Sequence, residues 1–433
     1  MFFPSVAVAA LTLAAATSPE PLKLRGYGWL LEGQGSTFQL YQSIGGACWL
    51  EKNAAEVEPA FARRQRRRGR QLALSEKGDD RSTIYLADRI KALPAGCDAP
   101  DRSDAAAVRT IAALMQAHYP GAAVRQVDFA AKMASTLSAL PADASPERAF
   151  AAAERLLTGL NDPHLELEAT INDRTRRLAV SEGPTLDAVR AAGGEHPERS
   201  WLTAWRAGVE HVILQDRGHT AAANRIFWGV RDNVGYLAIV TMGGFDPQDG
   251  EATAPLDKAL DEAMTDFEGV KAVVVDVSNN RGGYDAVSRR IAERFTDRPR
   301  LAYAKRPWSI HAGWTQQVQT LPSARRRYLG PVWLLTSDIT VSAGETFAQL
   351  MRVLPNIVHA GTPTRGAFSD QYTFTLPNGW RFAMPMEQYL DQEGRSLEGH
   401  GLVPTQPLAL YNGADPSAHS LAVAALIGRL SKP

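Results

Sequence analysis

The chain has 433 residues, 45% hydrophobic and 22% charged, a balance that suits a soluble globular protein of two or three domains. Lys plus Arg and Asp plus Glu each total 47, so no global field favours nucleic acid or an anionic surface as a partner. Two cysteines are too few for a thiolate metal site and no His/Asp/Glu cluster has ligand spacing, so neither a metal nor an organic cofactor is implied.

Residues 1–16 are apolar, rich in small residues and end in Ala14-Ala15-Ala16. This resembles a secretory signal, although the usual basic n-region is missing and the run is short for a membrane span. Export to the periplasm or cell envelope is expected. In an oxidising compartment Cys48 and Cys97 would pair. Closing that loop stabilises a small domain by about 4 kcal/mol in the chain-entropy model.

Residues 17–100 read as a small β domain. The runs Gly26 to Leu31, Thr37 to Tyr41, Gln71 to Leu74 and Ser82 to Leu86 are strand-like, separated by Gly, Asn and Asp turns. The arginine-rich run 63–70 falls between two of them. With no aromatic residues interleaved it reads as a solvated loop. Pro94 to Asp104 reads as a linker.

The period then becomes helical. Pro120, Pro141 and Pro146 divide Ala105 to Gly159 into three helices, and 101–169 is expected to be a bundle ending in Leu160-Asn-Asp-Pro-His-Leu. Residues 170–230 are uneven and polar, and their elements are not assigned. Strands return at Val234 to Val240 and Ala272 to Val277, with helices at Ala254 to Glu268 and Ala286 to Phe295. Gln371 to Pro385 is expected as a hairpin around Pro377-Asn-Gly379, and Pro416 to Leu430 as a closing helix. Strand and helix alternate, so 170–433 is expected to be an α/β core.

Within that core, Pro331 to Thr336 is a short apolar strand, and Phe347, Leu350, Met351 and Leu354 then fall at helical spacing. Ser342 sits where loop becomes helix, beside unpaired N–H groups and the positive end of the helix dipole. Such a place favours negative charge on an attacking oxygen. Ser342-Ala-Gly-Glu345 is equally a capping box, in which both side chains satisfy helix-start donors.

Four separated pieces share an order and spacing: Asp162-Pro-His164, Asp276-Val-Ser-Asn-Asn-Arg-Gly-Gly283, Thr340-Val-Ser342-Ala-Gly-Glu345, and Glu398-Gly-His-Gly-Leu-Val-Pro404. Together they resemble the C-terminal processing (tail-specific) protease family, which includes the tricorn core. The likeness runs from about residue 105 to 430. It implies a crotonase/ClpP-like α/β core beside a helical bundle, and a serine peptidase acting on polypeptides; the small N-terminal β domain lies outside it and is read from the residues alone. By that likeness Ser342 is the nucleophile, while Gly282 or Gly283 with Ala343 forms the oxyanion hole.

Departures from the pattern carry information. The lysine base of many members, in Thr-x-Gly-Lys, is replaced here by Thr364-Arg-Gly-Ala367. The likeness to tricorn-type members then implies His164 as base, with His359 and His400 as rivals on sequence grounds. Glu398 matches the acidic support of that histidine. The serine that relays this support in tricorn-like sites is Pro163 here. The sixty-odd residues after His164 are too few for a PDZ insert, so tail binding by that route is not expected. A non-catalytic binding protein on the same scaffold, or an esterase, are the alternatives. Oligomeric state is not legible.

Overall fold

The computed structural model describes residues 20–34, 37–52, 66–68, 71–75, 83–122, 124–178, 182–250, 252–309 and 314–432. The expected signal segment lies outside the described residues, as does most of the arginine run. Its middle, Arg66–Arg68, is a short strand rather than loop.

The N-terminal part is one seven-stranded antiparallel sheet. Its strands are β1 (Leu22–Leu24), β2 (Trp29–Gln34), β3 (Thr37–Ile44), β4 (Ala47–Lys52), β5 (Arg66–Arg68), β6 (Gln71–Ser75) and β7 (Ile84–Arg89), in the order β4-β3-β2-β1-β7-β6-β5. The β3–β4 hairpin turns on Gly45 and Gly46, both at positive φ, as a two-residue turn of primed type requires. Cys48 on β4 is disulfide-bonded to Cys97 beyond β7, with Cα atoms 4.4 Å apart.

Three helices follow, Asp104–His118, Phe129–Ser138 and Pro146–Leu157, each started by a side-chain cap from Ser103, Asp128 and Ser145. Their apolar faces do not make a core of their own. Ile111, Leu114, Phe150 and Leu156 pack with Trp29, Leu31 and Tyr85 of the sheet, and with Phe374 and Phe382 from far along the chain. A single sheet face and three short helices each expose one apolar surface, so covering one with the other buries both.

The remaining strands are β8 (Glu166–Ile171), β9 (Arg174–Arg177), β10 (His219–Ala221), β11 (Ile226–Arg231), β12 (Val234–Ile239), β13 (Ala272–Asp276), β14 (Arg300–Pro307), β15 (Gln316–Thr320), β16 (Val332–Thr336), β17 (Ile357–Gly361), β18 (Gln371–Thr375), β19 (Arg381–Pro385), β20 (Glu387–Leu390) and β21 (Gln406–Pro407). The central sheet has the order β10-β11-β12-β13-β16-β17-β21, parallel from β12 onward. Both faces are covered. Val273, Val275 and Leu334 pack beneath Phe347 and Leu260, while Val274 and Leu335 meet Trp205 and Ile427 on the other side. This explains why β12 and β13 are apolar without alternation. The second layer includes helices Pro184–Ala191 and Pro197–Ala207, from the stretch left unassigned by sequence.

One pairing positions the site. β8 leaves the bundle and joins β19 in a four-stranded sheet of order β18-β19-β8-β9. The turn before β8 is thereby carried to the ends of the parallel strands, where β13 and β16 release their loops.

Candidate active site

Ser342 lies at the junction between the loop after β16 and the helix Ala343–Arg352. That loop is pinned from beneath: Thr340 Oγ1 donates to the Val277 carbonyl at 2.8 Å and Val341 N–H to the Asn280 carbonyl at 3.2 Å. A helix-capping residue usually has extended backbone angles. Ser342 instead has φ +58° and ψ −125°. A residue with a Cβ avoids such angles at a cost of about 1–3 kcal/mol, which persists only where the surroundings fix it. They do so here. Ser342 N–H donates to the Ala367 carbonyl at 2.9 Å and to Glu345 Oε2 at 3.2 Å, and the N–H groups of Glu345 and Thr346 return to its carbonyl. The capping box read in the sequence is formed. It coexists with a strained strand-to-helix elbow that turns the serine into an open cavity.

Gly282 and Gly283, at φ +87° and +137°, form the turn after β13. No side chain fits either place. A Cβ on Gly282 would stand 2.7 Å from Ser342 Cβ, and one on Gly283 would stand 2.5 Å from the Met242 carbonyl oxygen. Met242 clamps the turn, its N–H donating to the Gly282 carbonyl and its carbonyl accepting from Tyr284. The two glycines are not equivalent. Gly282 N–H donates to Asn280 Oδ1 at 2.9 Å, whereas Gly283 lines the same cavity as Ser342. Asn two places before Gly, as in Asn280 and Gly282, is an Asx-turn signal that could have been read in advance.

Across the cavity, whose volume is about 1000 Å³, stands His164. It closes a tight turn in which its own N–H donates to Asp162 Oδ1 at 3.0 Å. Asp162 is buried and also accepts from Tyr119 OH at 2.9 Å and faces Arg125 at 3.2 Å. His164 is 8% exposed and its Nδ1 has no hydrogen-bond partner. Burial pushes the imidazole below its ordinary value of 6.5, against the pull of Asp162, Asp370 and Glu166. No hydrogen bond joins Ser342 and His164, and both line the cavity.

Glu398 is buried behind the serine rather than beside the histidine. It accepts from Phe368 N–H and, at 2.6 Å, from Ser369 N–H, and makes no hydrogen bond to His164. Burial, then the nearby Asp162 and Glu345, push its carboxyl well above the usual carboxylate range. Glu345, holding the N–H groups of Ser342, Gly366 and Ala367, is pushed up by burial to about 7. Of the rival histidines, His359 is bonded through Nε2 to Thr336 Oγ1 at 2.7 Å, and His400 is exposed. Neither lines the cavity.

Ala367 stands where a lysine base was looked for. Lys305, on β14, is buried among Asp370 at 2.9 Å, Glu387 at 3.1 Å and Thr83 Oγ1 at 2.6 Å. Burial works against its charge, but Asp370 and Glu387 outweigh it and hold the ammonium protonated. It is no base. Sequence reading missed Lys305, Asp370 and Arg125, which lie in no motif and meet only through the tertiary fold.

Residues 233–408 match the model of peptidase family S41. The matched stretch covers 176 of the 433 residues. It contains Ser342, Gly282, Gly283, Ala343 and Glu398, while His164 precedes it. The Probable CtpA-like serine protease of Staphylococcus haemolyticus is 25% identical over 229 residues, 52% of this chain and 44% of that relative. The chain thus spans less than half the length of the curated relative it matches. A protein from Parabacteroides merdae described as a candidate peptidase superposes with TM-score 0.60 at 21% identity, over 76% of this chain and 97% of that one. Mature CPAF in complex with lactacystin gives TM-score 0.51 at 12% identity, over 76% and 97%. At those identities the likeness to both is one of fold alone.

Proposed function

We propose that the protein is a serine peptidase whose nucleophile is Ser342 and whose general base is His164. Ser342 Oγ attacks the carbonyl carbon of a peptide bond, and His164 takes the hydroxyl proton. His164 then returns the proton to the leaving amine, and water releases the acyl group by the same steps in reverse roles. The developing oxyanion is received by the N–H groups of Gly283 and Ala343, the latter at the positive end of its helix. Gly282 contributes shape, since its N–H is committed to Asn280. Glu398, backbone-bound and inclined to hold its proton, fixes the 368–369 loop. The substrate is a polypeptide, admitted without a PDZ module, and the disulfide favours an exported site of action, in the periplasm or envelope.

One observation carries this reading. Ser342 holds a backbone conformation that costs stability, in a cavity shared with Gly283 and a histidine whose ring has been desolvated. A binding protein on the same scaffold has no use for that cost. The test is to treat the purified protein with a fluorophosphonate and map the adduct by peptide mass spectrometry. Label on Ser342, lost in His164→Ala and kept in His400→Ala, is expected. Label elsewhere, or undiminished peptide hydrolysis by Ser342→Ala, would end the proposal.

A further inference from the structure

A histidine that acts as base through Nε2 must present a proton at Nδ1 to an acceptor, which sets the tautomer and supports the imidazolium as it forms. In tricorn-like sites the expected support is Glu398, yet here that carboxyl is satisfied by two backbone N–H groups and makes no bond to the ring. His164 Nδ1 is buried and unpartnered. The charged groups that face the ring come from three elements: Asp162 and Glu166 on either side of it in sequence, Arg125 from the bundle, and Asp370 at the start of β18. Asp162 has spent Oδ1 on the His164 backbone N–H, and Oδ2 on Tyr119 and Arg125. Glu166 Oε1 receives Gln371 Nε2. Asp370 is half-buried, accepts from Lys305 Nζ through Oδ2, shares a hydrogen bond with the Glu387 side chain, and feels the charge of His164. The next residue, Gln371, donates to the His164 carbonyl at 3.2 Å.

We infer that Asp370 is the positioning carboxylate of His164, with Oδ1 accepting from Nδ1–H when substrate closes the site. This rests on the Ser342–His164 reading and replaces Glu398 in that role. The arrangement explains a group that the peptidase chemistry otherwise leaves idle. Lys305 is buried, and an ion pair taken out of water is a poor source of stability. Its use here is to keep Asp370 ionised and aimed. Against the cost of burial, Lys305 holds the Asp370 carboxyl below its usual range. Glu387, also buried on Lys305, is pushed up to about 7 by burial, and Asp285 nearby is likewise raised, so Asp370 is the partner that keeps the charge.

The cluster also gives the N-terminal sheet a part in catalysis. Thr83 Oγ1 meets Lys305 Nζ at 2.6 Å, and Tyr27 OH donates to Glu387 Oε1 at 2.6 Å. Both residues lie outside the stretch that matches the family model. The chain Tyr27–Glu387–Lys305–Asp370 thus runs from the sheet to the base.

Two measurements test the inference. In the unaltered protein, ¹⁵N NMR of the neutral imidazole of His164 is expected to give the Nδ1–H tautomer, and assignment to Nε2–H overturns the inference without any variant. Asp370→Asn is expected to lower kcat by roughly 10²–10⁴-fold with little change in KM, as loss of a tautomer-setting aspartate does elsewhere. It should also move the rising limb of the pH profile to lower pH, because the carboxylate no longer supports the imidazolium. Asp370→Glu should recover part of the rate and restore the limb. A loss of kcat with an unmoved limb means a merely structural role and rejects the inference. Failure of the underlying reading looks different: His164→Ala would then retain activity, which overturns both.

Discussion

Replacing Gly283 with Ala puts the proposed oxyanion hole under the most direct strain. The new methyl would stand 2.5 Å from the Met242 carbonyl oxygen, itself held by Tyr284 N–H at 2.8 Å. Reaching an ordinary contact therefore requires a backbone shift of roughly 1 Å, and a misplacement of that size can cost about 10²-fold in rate. Removing one oxyanion donor costs about 10²–10³-fold, so kcat/KM should fall by that order. Stability should fall too, by about 1–2 kcal/mol for the left-handed backbone and roughly another 1–3 for the overlap. Gly379 separates these terms. It has φ +89° in the β18–β19 hairpin, and a Cβ there meets nothing within 4 Å. Gly379→Ala should show the backbone cost alone, with turnover unchanged. The assay is steady-state hydrolysis of a fluorogenic peptide alongside thermal unfolding of both variants. If folded Gly283→Ala turns over at the rate of Gly379→Ala, its N–H is not an oxyanion donor.

The remaining expectations follow from the same contacts. Ser342→Ala should lower turnover by roughly 10⁶-fold; Ser342→Gly should be equally inactive but about 1 kcal/mol more stable, since glycine relieves the φ of +58°, and denaturant titration reads the difference. A histidine base works when neutral, and burial lowers the His164 pKa from 6.5, so the rising limb of kcat/KM should be centred below pH 6.5 and flat above neutrality; a limb in the alkaline range would point to a lysine instead. Cys48→Ser should cost about 4 kcal/mol through the opened loop, whose ends are separated by 49 residues, and calorimetry with and without reductant should show the same loss in the unaltered protein.

Much of the core was legible because its strands are covered on both faces. Val234 to Ile239 and Ala272 to Asp276 read as continuous buried runs and are such. The three bundle helices were legible through their helical period and the prolines that divide it. Residues 170–230 were not, because their helices present Trp201 and Trp205 to a sheet far along the chain, and a narrow apolar stripe does not stand out against arginines and glutamates. The short edge strand Arg66–Arg68 was hidden for a related reason: at an edge, backbone pairing can be made by residues with no apolar pattern at all. In the site, Ser342 stood out locally only as a helix-start residue, and the role of the glycine turn was implied by the family resemblance. The cluster of Asp370, Lys305 and Glu387 was not legible, since the three meet only in the tertiary fold and by no spacing in sequence.

The stretch Gly366 to Gln371 was read only for a lysine it lacks, yet it touches every part of the site. Gly366 and Ala367 give their N–H groups to Glu345, and the Ala367 carbonyl holds Ser342 N–H. Phe368 and Ser369 hold Glu398, Asp370 meets Lys305, and Gln371 reaches the His164 carbonyl. These six consecutive residues thus hold both the strained backbone of Ser342 and the turn of His164. A single segment bound at both ends links Ser342 and His164, in addition to the β8–β19 pairing and the contacts of the Ser342 loop with Val277 and Asn280. At Ser342 the segment does this positioning through backbone groups, which Ala at position 367 supplies as well as Lys would.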